Sequence, residues 1–459
     1  MRVSRESAVS VPLMLRLLLP GRPRWTETDR RILALAFPAL GALVAEPLYI
    51  LADTAVVGHL GTPQLAGLAL ASSLLLIAFA VFIFLAYGTT SAVSRLLGAG
   101  EHRQAAHQAV QSLWLAFGVG LVIASITYLF RNPLISVMGG DGETAVNAEI
   151  YLRISLLGIP PMLMVLAGVG YLRGLQDTKR PLYVAVGTAI LNLVLELVLI
   201  YGLDYGIGAS ALSTVIAQWV GAGAYCWWIA RAVTEHDVGL TPDWKVIGKL
   251  AGAGLDLLMR TAALRGGITV TVAVAARIGT DDLAAHEIAF QIWSILALSL
   301  DAVAIAAQAM IGHALGAGDA QEARRLGDRM IQWGWWGGFA MAALVFALIP
   351  VLPDVFSTDP EVVSLAAFLF IHVAVWQPVN GIVFALDGIL IGAGDLRFLA
   401  IAMVTATAVL VPWSFSVLWF DLGIGWLWGA IGAWMVVRAA TLLWRYQSDA
   451  WAITGATRG

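Results

Sequence analysis

The first long apolar segment of the chain contains the stretch Glu46-Pro47-Leu48-Tyr49-Ile50-Leu51-Ala52-Asp53-Thr54. An ionisable side chain in hydrocarbon is unfavourable by about 2.5–3.5 kcal/mol on insertion scales, so it marks a functional site. Glu46 and Asp53 are seven residues apart, which is about two helical turns, so they share one face. We expect this face to line a polar cavity and its carboxylates to exchange protons. Pro47 lies between them and permits a kink in the helix.

Composition places the chain in a membrane. Of its 459 residues, 59% are hydrophobic and 12% are charged, and the mean hydropathy is +0.82. Soluble domains carry about 25% charged residues. The formal net charge of −3 gives no reason to expect a nucleic-acid partner. Because Cys226 is the only cysteine, the chain forms neither an internal disulfide nor a cysteine-based metal cluster.

Twelve apolar segments follow one another along the chain. Each is long enough to cross about 30 Å of hydrocarbon at about 1.5 Å per residue. The sequence therefore predicts a polytopic, all-α membrane protein with twelve transmembrane helices. The segments cover residues 33–57, 65–93, 106–130, 148–172, 180–202, 208–231, 249–276, 284–311, 327–352, 363–388, 395–420 and 424–446.

Positive charge orients the predicted helices. Arginine and lysine are concentrated in the tails and the even-numbered connections, whereas the odd-numbered connections carry only Arg131 and Arg277. This asymmetry predicts that both termini are cytoplasmic. Residues 1–32 hold seven arginines, and Arg16 interrupts their only apolar run, so we expect a basic tail rather than a signal peptide. We expect a multi-pass protein of the cell inner membrane, with a second cytoplasmic tail at residues 447–459.

The chain repeats itself at one constant offset in numbering, without gaps. Leu97-Gly98-Ala99-Gly100-Glu101 aligns with Leu315-Gly316-Ala317-Gly318-Asp319, and the same shift aligns Pro160 with Pro378. Each half holds six segments, an even number, so both halves enter the membrane in the same direction and form a parallel repeat. The predicted architecture is two six-helix lobes. They are an N-lobe at 33–231 and a C-lobe at 249–446, joined by a cytoplasmic linker at 232–248.

The repeat helps to distinguish structural residues from functional ones. A residue present in both halves is expected to be structural, and a residue present in one half only is a candidate for function. Asp53 aligns with Thr271, and Glu196 aligns with Ser414. A hydroxyl group does not carry a proton as a carboxylate does. The carboxylates of segments 1 and 5 therefore belong to the N-lobe alone. The C-lobe has its own polar set: Asp256, Arg260, Arg265, Glu287, Asp301, Asn380 and Asp387.

Several stretches together resemble the multidrug and toxic compound extrusion (MATE) family. They are Asp53-Thr54-Ala55-Val56-Val57-Gly58 and Leu172-Arg173-Gly174-Leu175-Gln176-Asp177-Thr178. The stretch Leu386-Asp387-Gly388-Ile389-Leu390-Ile391-Gly392-Ala393-Gly394-Asp395 is similar to the DinF-type branch. The resemblance covers roughly residues 30–446. It implies a cation-coupled exporter with two six-helix lobes around a V-shaped central cavity.

The resemblance also implies roles for individual residues. Asp53 corresponds to the protonation site of similar DinF-type members, joined by Asn192 and Glu196 on helix 5. Sodium-using members carry acids on helices 7 and 10, where this chain has Leu264 or Arg265, and Asn380. This departure favours protons over sodium as the coupling ion.

Other polar residues are candidates for the substrate cavity, each with a structural alternative. Glu46, Tyr49, Arg265, Asn380 and Asp387 form this set. Tyr49 is equally explained by aromatic packing, and Asp387 by packing within helix 10. The arginines of segment 7 are explained by ion pairs with Asp256, Glu46 or Asp387. Asp53 also fits a buried packing role, and the Asn192–Glu196 set a polar contact between helices 1 and 5.

We expect a proton-coupled antiporter that exports organic compounds by alternating access. The partners would be a small organic substrate and membrane lipid. No lysine with Ser or Thr follows the Gly-rich turns, so no nucleotide site is expected. We expect no cofactor and no bound metal, and a monomer.

Two other functions remain open on the sequence. Arg260 and Arg265 are compatible with a lipid-linked oligosaccharide flippase of the same superfamily. An intramembrane enzyme is the other class, and it would need a Ser–His set or a metal motif. His286-Glu287 lacks the second histidine of a zinc motif.

Overall fold

A computed structural model of the protein describes residues 25–203 and 205–458, apart from the side chains of 77–81. Twelve membrane spans follow one another, as predicted. Spans 1–6 are Glu27–Gly58, Thr62–Phe82 with Phe84–Gly98, His102–Val137, Gly142–Gly174, Lys179–Gly202 and Ile207–Glu235. Spans 7–12 are Trp244–Ile278, Thr280–Gly316, Ala320–Leu348, Pro360–Gly392, Leu396–Phe420 and Gly423–Gln447. A short helix, Leu352–Phe356, precedes span 10.

Three predicted boundaries need correction. Residues 27–32 of the predicted basic tail belong to span 1, whose first turn is closed by a capping box between Thr26 and Asp29. Residues 1–24 of that tail lie outside the described residues. Span 6 continues to Glu235 and span 7 begins at Trp244, which shortens the linker to residues 236–243. We call the membrane face that carries this linker the linker face.

Three spans are interrupted in ways that the hydropathy pattern does not predict. Span 4 contains a 3-10 turn, Leu156–Gly158, between two α-helices. Span 2 breaks at Ile83 into two helices, Thr62–Phe82 and Phe84–Gly98. Span 5 ends in a π-helical turn, Val198–Gly202, which follows the α-helix that ends at Leu197, next to Glu196. Such π turns occur frequently at functional sites.

The predicted repeat is present in the backbone. After span 2, the N–H groups of Ala99, Gly100 and Glu101 donate to the carbonyls of residues 95, 97 and 96. The same three bonds recur at the equivalent positions after span 8. Gly100 and Gly318 both have a positive φ, of 77° and 82°, which glycine adopts without strain. The parallel two-lobe architecture is therefore confirmed.

Small residues let spans 2 and 8 cross closely between the lobes. Gly98 packs against the His313 carbonyl of span 8, and its repeat partner Gly316 packs against the Arg95 carbonyl of span 2. Backbones approach this closely in membranes only where side chains are small. The two repeat-related spans thus meet near the axis that relates the lobes.

The lobes are closed at the linker face. Asp29 at the start of span 1 accepts hydrogen bonds from Arg329 at 2.6 and 2.8 Å and from Trp333 at 2.8 Å. Ser91 and Arg95 donate to the carbonyls of Gly392 and Ala393 at 3.3 and 3.1 Å. Every hydrogen bond between the two lobes that the described residues form lies at this face. The structure therefore represents a state in which passage through the linker face is blocked.

Candidate functional site

Asp53 and Glu196 form a buried pair of carboxyl groups in the N-lobe, which we call the acid pair. Asp53 on span 1 accepts a hydrogen bond of 2.6 Å from the Ser210 hydroxyl on span 6. Glu196 on span 5 is fully buried beside Asp53, and neither of its oxygens has a donor among the described residues. Two adjacent carboxylates repel each other, so such a pair readily holds a proton.

A chain of polar contacts continues from the acid pair towards the middle of the membrane. The Thr214 hydroxyl donates to the Ser210 carbonyl at 3.0 Å. Its single proton is thereby used, so Tyr49 donates to Thr214 over 2.8 Å. Asn192 donates to Thr214 at 2.9 Å and to Ser213 at 3.3 Å. Span 6 thus contacts both Asp53 and Asn192, and Glu196 lies beside Asp53.

Span 6 supplies residues that the sequence analysis missed. Ser210, Ser213 and Thr214 lie within four residues of one another in a segment that spans the membrane. Hydroxyl side chains of this kind hydrogen-bond between transmembrane helices. Their spacing was the available signal, but hydroxyls are frequent in such helices and do not identify a site alone. Tyr151 of span 4 is also buried in this region.

A cavity of about 300 Å³ lies next to this polar chain, between the acid pair and the linker face. Spans 1, 2, 4, 5 and 6 line it, and span 8 contributes Asp301 from the C-lobe. The lining is mostly apolar, with three tyrosines and with the charged residues Glu46, Arg173 and Asp301. Apolar walls with a few placed polar groups are typical of small-molecule sites.

The two predicted cavity residues of span 1 are in this lining. Glu46 and Tyr49 both face the cavity, and Asn192 and Thr214 join them there. Asp53 is not part of the lining, because it lies one further turn along span 1, beyond Tyr49. The shared face of span 1 therefore holds two environments, a cavity wall at Glu46 and a closed acid pair at Asp53.

The three predicted cavity residues of the C-lobe do not line this cavity. Asp387 is buried between Arg260 and Arg438, each of which donates to it at 2.7 Å. Asn380 is buried in span 10, with its side-chain oxygen unpaired among the described residues. Arg265 is exposed on span 7. Spans 8, 9 and 10 pack closely against one another, and neither Asn380 nor Asp387 is among the residues that line the N-lobe cavity.

Pro47 lies within an unbroken helix. Span 1 is helical from Glu27 to Gly58, through both Pro38 and Pro47. Because Pro47 has no N–H, the Leu43 carbonyl loses its helical donor, and Leu43 lines the cavity. Span 1 thus keeps its helical hydrogen bonding on both sides of Pro47, and a kink at this residue stays a prediction.

Among the described residues, no group of three or more His, Cys, Asp or Glu side chains is placed to hold a metal ion. The arrangement instead offers one acid pair, one hydrogen-bonded relay and one cavity of ligand size.

Comparison with known proteins assigns this architecture to a family. The MatE family model matches residues 38–198 and 263–415. The chain is 33% identical over 432 residues to Protein DETOXIFICATION 44, chloroplastic, of Arabidopsis thaliana, covering 90% of this chain and 81% of that protein. It is 28% identical over 451 residues to DNA damage-inducible protein F of Escherichia coli, covering 93% and 94%.

Solved structures share the fold. A crystal structure titled as MATE in the bent conformation superposes with a TM-score of 0.85 at 22% identity, covering 92% of this chain and 96% of that one. A MOP superfamily transporter from Pyrococcus furiosus gives a TM-score of 0.82 at 22% identity, covering 93% and 97%. Taken with the matched family model, these likenesses show that the chain belongs to the MatE family of multidrug and toxic compound extrusion transporters.

Proposed function

We propose that this transporter exchanges protons, at the acid pair, for small organic compounds held in the N-lobe cavity. One observation carries the proposal. A buried pair of carboxyl groups contacts Ser210 of span 6, one helical turn from Thr214, which lines a cavity of about 300 Å³. Loss of charge on Asp53 weakens the hydrogen bond that holds Ser210. Because Thr214 lies one turn further along the same helix, a shift of span 6 at Ser210 moves the hydrogen-bond partner of Tyr49 and Asn192 in the cavity wall.

The cycle follows from the two environments on span 1. With the acid pair ionised, the cavity retains substrate beside Glu46 and Asp301. A proton entering from the opposite face neutralises Asp53 and weakens its bond with Ser210, since hydrogen bonds to charged groups are roughly twice as strong as neutral ones. The relay then rearranges and substrate leaves. The protonated carrier opens at the linker face, releases its proton and accepts the next substrate.

The linker face is proposed to be cytoplasmic, in a cell inner membrane. The positive-inside rule supports this orientation, because the odd-numbered connections at the opposite face carry only Arg131 and Arg277. In the closed state described here, the carrier would be shut towards the cytoplasm.

Protons are favoured over sodium by the chemistry of the C-lobe. Asp387 is a carboxylate in this lobe, but it already forms ion pairs with Arg260 and Arg438. Asn380 is an uncharged amide, and Arg265 is a cation. Asn380, Arg265 and the paired Asp387 therefore offer no free carboxylate to balance the charge of a sodium ion at these positions. The acid pair needs no metal to function.

A lipid-linked oligosaccharide flippase is not favoured. Its motivation was a cationic cavity formed by Arg260 and Arg265. Arg260 is instead bonded to Asp387, and Arg265 lies outside the cavity lining. The lining holds two carboxylates against one guanidinium, and its volume suits a drug-sized molecule. Members of the family are transporters, which leaves the intramembrane enzyme without support.

The test is export of a fluorescent organic cation from proteoliposomes under an imposed pH gradient. Asp53→Asn and Glu196→Gln should each abolish gradient-driven movement, and sodium should have no effect. Asp141→Asn, which changes an exposed carboxylate before span 4, is the matched control and should transport normally. Transport that persists in Asp53→Asn would remove the acid pair from coupling. Wild-type vesicles that respond to sodium alone would refute the choice of ion.

A further inference from the structure

The residues that follow span 12 fold back onto the linker face. We call residues 449–458 the strap. Trp451 is fully buried, stacks on Tyr446 with ring centroids 5.2 Å apart, and donates from its indole to the Tyr446 carbonyl at 2.9 Å. The Gly455 N–H donates to the Leu315 carbonyl at the end of span 8, also at 2.9 Å. The strap is therefore an ordered part of the fold.

Ion pairs fasten the strap to the C-lobe. Asp395, at the start of span 11, pairs with Arg458 of the strap at 3.0 Å and with Arg445 of span 12 at 2.7 Å. Arg458 also donates to the Ala450 carbonyl at 3.0 Å, which closes the strap upon itself. Asp395 is buried, so these bonds are poorly screened by water. The strap should therefore move as part of the C-lobe.

One N-lobe arginine reaches across to the strap. Arg95, on span 2, is 2% exposed and donates to the Ile453 carbonyl of the strap at 2.7 Å. It also donates to the carbonyl of Ala393, which caps the end of span 10, where the helix dipole favours a cation. Ala456 of the strap packs on the N-lobe cluster that contains Val93.

We propose that the strap is a latch that holds the linker face closed, and that it thereby sets the balance between the two states of the transporter. Separation of the lobes would deprive a buried guanidinium of both its carbonyl acceptors, and one of these belongs to the strap. The internal repeat does not explain the contact between Arg95 and the strap. The equivalent residue of the C-lobe is His313, whose side chain is exposed. The inference rests on the proposed alternation between two states.

The test measures lobe separation directly. In a Cys226→Ser background, spin labels at Gln104 of the N-lobe and Gln321 of the C-lobe, both exposed near the linker face, report the distance between the lobes. Gly455 has a φ of 118°, so Gly455→Ala strains the strap. Arg458→Ala removes the ion pair. Each variant should weaken the hold of the strap on Arg95 by about the strength of one hydrogen bond, which raises the long-distance population about fivefold.

Matched measurements keep the test decisive. Thr454→Ala changes an exposed side chain within the strap and should leave the distances unchanged. Thermal melting confirms that each variant is folded. Wild-type distances in folded Gly455→Ala and Arg458→Ala would overturn the latch. The readout needs neither substrate nor gradient. A strap-dependent distance without transport would therefore refute the proposed function and keep the latch.

Discussion

Replacing Asp387 with Asn should destabilise the C-lobe more than any other change of one polar side chain within it. The Asp387 carboxylate is buried and receives one hydrogen bond of 2.7 Å from each of Arg260 and Arg438. Both guanidinium groups are themselves buried. Asn keeps the shape of the side chain but removes its charge, so two buried cations lose their partner.

The magnitude follows from the number of uncompensated charges. Removing one partner of a buried ion pair destabilises a protein by about 3–5 kcal/mol. Here one substitution leaves two cations, and these also repel each other, so the upper end of about 5 kcal/mol is expected. Arg438→Met is the contrasting variant, because it leaves a complete Arg260–Asp387 pair. Its loss should be smaller, about 1–3 kcal/mol.

Reversible unfolding in mixed detergent micelles, followed by tryptophan fluorescence, measures both free energies. The expected order is wild type, then Arg438→Met, then Asp387→Asn. An Asp387→Asn protein within about 1 kcal/mol of wild type, the size of one ordinary hydrogen bond, would show that the arginines find other partners or water. A larger loss for Arg438→Met than for Asp387→Asn would also refute the reasoning, because it would make the arginine, and not the carboxylate, the centre of the cluster.

Three further outcomes are expected. Ser210→Ala removes the hydroxyl that donates to Asp53 but keeps the backbone carbonyl that accepts from Thr214. Proton-driven export should slow about tenfold. Substrate binding, measured by dye anisotropy in detergent, should stay within about twofold of wild type. Gly334→Ala inserts a methyl group against the backbone of span 10 and should lose about 1–3 kcal/mol in the unfolding assay, whereas Gly337→Ala, which meets open space on the same helix, should lose none. The backbone N–H of Val246 holds the pKa of Asp243 below its usual range. The ionised Asp243 cap therefore stabilises the start of span 7 at neutral pH, and this stabilisation is lost as pH falls through the lowered pKa. Amide hydrogen exchange in the first turn of span 7 should then accelerate in acid. In Asp243→Asn, whose side chain does not titrate, the exchange rate should not show this pH dependence.

The fold was largely predictable because its two main signals, apolar runs and an internal repeat, can be read directly from the order of residues. Each span is a long apolar run, and one constant offset aligns Gly98 with Gly316 and Pro160 with Pro378 without gaps. The break at Ile83 was not predictable. It lies inside a continuous apolar run with no adjacent proline or glycine, so neither hydropathy nor residue type marks it.

The site was predictable only where a residue is unusual for its surroundings. Asp53 and Glu196 are carboxylates at membrane depth, and both take part in the acid pair. Arg438 is also a charge within a membrane span, but arginine near the end of a transmembrane helix is common and does not mark a site. Its partner, Asp387, lies two spans earlier in the chain and reaches it only after the C-lobe has packed. Pairing between distant spans is a tertiary property that spacing does not encode.

The positions of these features suggest how charge and movement are separated in the molecule. Asp53 lies five residues before the end of span 1, near the face opposite the linker. Arg95 and the strap lie at the linker face, and the cavity lies between these two regions. Asp301 is the C-lobe residue in the cavity lining, so it moves away from the N-lobe wall if the lobes separate. On the proposed function, a cation held between Glu46 and Asp301 would stabilise contact between the lobes, and its release after protonation would weaken that contact. Asp301→Asn should then raise the open population at the linker face when substrate is present and leave it unchanged when substrate is absent. An equal effect in both conditions would show that Asp301 acts on lobe packing and not through the bound cation.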